Sequence, residues 1–136
     1  MARDRRAATR TISRWECEQH LRKAQEYVWS ARIACDAGSA DACAGNAVLA
    51  TINAADAVAG ILLGERWQGP HEGAAQHVAR AGTAGVSVAR QLRRVIRWKS
   101  RAHYDPMPMP AGEALTLLRA AERAVVIAER VVAGAA

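Results

Sequence analysis

The chain has 136 residues, enough for one domain with one compact core. Hydrophobic residues make up 51% of it, but Phe is absent and much of that fraction is Ala, so helices can approach closely while a sheet would lack the Val, Ile, Tyr and Phe it needs. A formal net charge of +6 favours acidic partners, and three cysteines without C-x-x-C spacing exclude a disulfide framework in favour of free thiols in a reducing compartment.

Residues 1–11 are polar and basic and read as a flexible arm ahead of a single domain over 12–136. No apolar segment follows that basic start, so it is no secretory signal, and no apolar run approaches a membrane span. The expected setting is cytoplasmic, with no membrane contact. Ser13 and Glu16 form a capping box opening the first helix, whose apolar stripe is Leu21, Ala24, Val28, Ala31 and Cys35 and whose stop is Gly38. Asp41 caps a second helix, which carries Val48, Ile52, Ala55, Ala59 and Leu62 on one face and ends at Gly64. Residues 65–73 read as a loop with Gly and Pro breakers, and 74–81 as a short helix.

After an interruption at Gly82-Thr83, a strongly amphipathic helix is predicted over 85–104, with Val88, Leu92, Val95 and Ile96 as its core stripe. The proline-rich 105–110 is a stiff connector, because each Pro removes a donor and constrains its predecessor. A last helix follows over 111–132, with Ala114, Leu117, Leu118, Ala121, Val125, Ala128 and Val132 inward. Four long helices and an extra short one joined by short connectors predict an all-α, antiparallel four-helix bundle.

Two sets of residues carry candidate chemistry. Arg90, Arg94, Arg97 and Arg101 recur at spacings of four, three and four, with Arg93 flanking them. No acid lies between residues 73 and 104, so this face can meet successive phosphates, with Trp98 and Tyr104 at its edges for stacking. Continued at helical spacing, the core stripe runs into Lys99 and His103, and Asp56 falls inside the stripe of the second helix. Ionisable groups facing an interior are costly unless they pair or work. One reading is an Asp56–Lys99 ion pair that fixes helix register. The other makes His103 a general base and Arg97 or Lys99 the cation that stabilises a phosphate.

Weaker signals add little. His71 and His77 are six apart and do not share a helix face, which excludes a zinc-protease pair. His71 reads as a turn or capping residue, and Cys17, Cys35 and Cys43 as structural. No metal cluster is predicted, and no cofactor.

The order Ala54-Ala55-Asp56-Ala57, then Gly69-Pro70-His71, then Arg97-Trp98-Lys99-Ser100-Arg101-Ala102-His103-Tyr104 resembles a small prokaryotic HEPN protein over roughly residues 15–132. The resemblance implies an all-α homodimer that binds RNA or a nucleotide. In the family's active members it implies metal-independent endoribonuclease chemistry in a toxin–antitoxin or defence setting, with an antitoxin or nucleotidyltransferase-type partner. Arg97, five intervening residues and His103 satisfy the family's loose Arg–His motif, and Lys99 with Tyr104 offers a second match. The alternative is a non-catalytic dimerisation or interaction module, with Trp15, Trp29 and Trp98 as anchors.

Overall fold

The computed structural model describes residues 8–134. Its elements in chain order are β1 (Thr9–Thr11), α1 (Arg14–Asp36), α2 (Ala40–Leu63), β2 (Glu65–Trp67), α3 (His71–Val78), a 3₁₀ turn (Ala79–Ala81), α4 (Gly82–Ile96), α5 (Lys99–His103) and α6 (Ala111–Val132). The protein is all-α in class, a helical bundle with one small ribbon.

The centre is α2. It packs against α1, α4 and α6, and Ala44, Ala47, Ala50, Ala54 and Ala57 are all fully buried. A sequence stripe marks only one face of this helix, because Ala is small enough to be buried on every side without advertising a period. α2 is also long and apolar enough to cross a membrane, contrary to the sequence expectation. Its neighbours on three sides make that the composition of a helix sheathed by protein. The capping box forms as expected: Glu16 N–H donates to Ser13 Oγ at 3.1 Å, and Ser13 N–H donates to Glu16 Oε1 at 3.1 Å. Asp41 lies inside the first turn of α2, which Ser39 caps, and its Oδ1 accepts from Met109 N–H at 2.8 Å. This ties the proline-rich connector to the start of α2.

Two further elements differ from expectation. The arm expected over residues 1–11 is in part a strand: Thr9–Thr11 pairs antiparallel with Glu65–Trp67, Arg10 opposite Arg66. The rest of that arm, residues 1–7, lies outside the described residues. The loop expected over 65–73 therefore holds a strand and the start of α3.

The helix expected over 85–104 breaks at Arg97-Trp98. An unbroken helix would carry its core stripe onto Lys99 and His103 and strip both of water. After the break, Trp98 and Ala102 pack on the core instead, while Lys99 is half-buried and His103 exposed. The break thus spares the His103 imidazole the desolvation that a continued stripe would impose.

Candidate functional site

Asp56 sits in the last third of α2, only 9% exposed. Its neighbours are not those expected. The closest cation is Arg66 Nη1, 3.7 Å from Asp56 Oδ2, and the His20 imidazole Nδ1 lies 3.9 Å from the same oxygen. No ion pair joins Asp56 to Lys99 among the described residues, so the register-fixing Asp56–Lys99 pair is replaced by Asp56–Arg66. Arg66 reaches Asp56 because β2 begins directly after Gly64, whose φ of 76° lets the chain turn back along α2.

The carboxylate accepts no hydrogen bond within the described residues. Burial pushes its pKa up to about 7, against the pull of Arg66. It opens on a cavity of about 240 Å³ walled by α2, β2, α3 and Leu92 of α4, which Arg66, Trp67, Gln68, His71 and His77 also line.

A turn built on Trp67 shapes this cavity. The Trp67 indole N–H donates to Pro70 O at 2.6 Å, folding residues 67–70 into a tight turn. The ring lies so close over Gly73 that a Cβ there would come within 2.2 Å of it. With Gly73 bare, α3 can start at His71 and turn that imidazole to the cavity. Burial first, and Lys99 second, hold the His71 pKa below its ordinary value. The charge of Lys99, from the 97–104 segment, therefore bears on His71.

His77 is buried, and its Nε2–H donates to Glu65 O at 3.0 Å, since a carbonyl can only accept. That bond leaves its Nδ1 as the lone-pair nitrogen when the ring is neutral. His20 is oriented in a comparable way. Asn53 Nδ2–H donates to Leu49 O at 2.9 Å, which turns Asn53 Oδ1 toward His20 Nδ1 at 3.0 Å. Burial holds the His20 pKa down, against the bond to Asn53.

The remaining expected site residues lie elsewhere. His103 is exposed and rests on Gly45, where an added Cβ would meet its ring at 3.3 Å. Gly45 is eleven residues from Asp56 on α2, about 16 Å along the helix. Tyr104 is 77% exposed, and the Lys99 ammonium lies 5.7 Å from its ring centre. Asp56, Lys99 and His103 therefore do not form one cluster. The break divides the expected arginine row: Arg90, Arg93 and Arg94 are on α4, Arg97 caps it, and Arg101 on α5 stacks 5.1 Å over Trp98. Arg90, Arg93 and Arg97 are exposed, and Arg94 and Arg101 half-buried.

Sequence reasoning missed Arg66, His20 and His77 and set His71 aside. The Gly-Pro-His turn was the available signal for His71. Nothing periodic marks Arg66. The chain matches no family model and no curated protein. Among the described residues no group of His, Cys, Asp and Glu is placed to hold a metal ion.

Proposed function

We propose that the chain is a HEPN-like protein, a four-helix bundle working in the cytoplasm as a homodimer, that binds RNA and cleaves it by transesterification at the Asp56 cavity. The observation that carries this is a buried carboxylate that accepts no hydrogen bond among the described residues, facing a cavity shared with Arg66 and His71. In the proposed step His71, kept neutral by burial and by Lys99, takes the proton from a ribose 2′-hydroxyl. The freed oxygen attacks the adjacent phosphorus. The bond from phosphorus to the 5′-oxygen breaks, and that oxygen takes the proton of the Asp56 carboxyl. A 2′,3′-cyclic phosphate and a 5′-hydroxyl result. Arg66 and Lys99 offset the charge that builds on the phosphoryl oxygens. A carboxyl near pH 7 and a neutral imidazole suit the acid and base roles.

The setting is a toxin–antitoxin or defence pair, with an antitoxin or nucleotidyltransferase-type partner. His103 and Arg97, the family's motif pair, are remote from the cavity of their own subunit. They would enter the chemistry only at a face shared with a second copy. Purified protein in chelator, incubated with single-stranded RNA, tests the assignment. His71→Ala and Asp56→Asn should each stop cleavage. If His103→Ala stops it while His71→Ala does not, the chemistry belongs to the 97–103 motif.

One observation favours a non-catalytic interaction module as the second reading. Trp29 and Ile33 stand one turn apart on α1, 60% and 49% exposed. This reading expects Trp29→Ala to abolish self-association in sedimentation, with no cleavage by the native protein.

A further inference from the structure

On the far side of α4 from the cavity, α4 and α6 leave an open groove of about 590 Å³. Arg90 stands on its α4 wall, and Arg119, Arg123 and Arg130 on its α6 wall, all exposed. The α6 arginines share one face at spacings of four and seven, spanning about 16 Å along the helix. None of the four is in an ion pair among the described residues. The one acid of the groove, Glu122, is held at 2.9 Å by Arg32 of α1. The free charge of the groove is therefore all positive.

Gln91, on the α4 wall, is 8% exposed, and its Oε1 is buried with no hydrogen-bond partner among the described residues. A buried amide acceptor without a donor is costly unless something brings one. Further along α4 the arginines lead through Arg94 and Arg97 toward Trp98 and its stacked Arg101, a pairing on which bases also stack.

We propose that this groove is a track for the phosphodiester backbone of single-stranded RNA, with the Gln91 amide turning outward to take a donor from a base. The inference rests on the reading of the chain as an RNA-handling protein and moves the binding surface from the α4–α5 row to the α4–α6 groove. Guanidinium forks meet phosphate oxygens in pairs, and their regular axial spacing suits a repeating anion. α4 separates groove from cavity: Leu92 faces the cavity and Arg90 the groove. The track would thus hold nucleotides that flank the one being cleaved.

Fluorescence anisotropy with a labelled 20-nucleotide RNA tests this at 50 and 200 mM salt. Three to four phosphate contacts predict a log–log salt slope of about −2 to −3, so affinity falls at least ~10-fold between the two salts. Arg119→Gln combined with Arg123→Gln should weaken binding at least ~10-fold at 50 mM and flatten the slope by about 1.4. Arg22→Gln, an exposed arginine on α1, should leave affinity as it was. Circular dichroism melts check that each variant is folded. Equal binding by the double variant and the native chain overturns the inference, as does displacement of the RNA by poly-glutamate at matched charge. Groove-dependent binding without cleavage upholds the track and refutes the ribonuclease reading. Cleavage with binding indifferent to Arg119 and Arg123 does the reverse.

Discussion

The Asp56 cavity and the α4–α6 groove flank the same helix and use charge in opposite ways. The cavity strips water from two of its ionisable groups and changes what they are: the Asp56 carboxyl titrates near 7, and the His71 imidazole is held below its ordinary pKa. The groove holds several arginines in water and leaves them as they are. Desolvated charge gives chemistry, because one proton moved is worth much in a low-dielectric site. Solvated charge gives affinity that adds contact by contact and fades with salt. A protein that must hold a polyanion and act on one bond of it needs both kinds.

The sharpest way to break this contrast is to remove the cavity's acid and base. Asp56→Asn and His71→Ala should each cut the rate of RNA cleavage at least ~100-fold, the usual scale of general acid–base catalysis. In the native protein the rate should fall about tenfold per pH unit above about 7, as Asp56 loses its proton. A rate that keeps rising to pH 9 would remove Asp56 as the acid.

Stability should carry the same signature. In the unfolded chain Asp56 ionises near its ordinary 3.8, whereas in the fold it keeps its proton to about 7. Between those values the folded state binds more protons, so stability falls as pH rises, by at most about 4 kcal/mol. Asp56→Asn should flatten that fall in urea titrations made at pH 4, 5.5 and 7. A smaller effect is expected at Gly73. Alanine there pushes on the Trp67 ring and should cost about 1–3 kcal/mol in thermal melts. It should also weaken cleavage by displacing His71. The smallest effect belongs to the groove. Arg123→Gln alone should change RNA affinity only several-fold and lower the salt slope by about 0.7.

Most of the helices were legible because their signals are local. The Ser13–Glu16 box, the Gly64 stop, and the α6 stripe from Ala114 to Val132 all depend on residues within a few turns. The site was half legible. Asp56 stood out as an acid on an apolar stripe, and it is buried. Its partners did not, because Arg66 and His20 reach it from other elements, and no spacing within one helix encodes such a contact. Lys99 and His103 were placed by extending a period through Trp98. The chain breaks there and leaves His103 exposed and Lys99 half-buried, a tertiary outcome that local periodicity does not contain. The α6 arginines were visible in the sequence but acquire meaning only when α4 is set beside them.

The most direct test of the whole account is a ¹³C NMR titration of the Asp56 side-chain carboxyl in the native protein. A midpoint near 7 is predicted, set by burial against the pull of Arg66. A midpoint near 4, where a solvated aspartate titrates, would contradict it and leave the cavity without its acid.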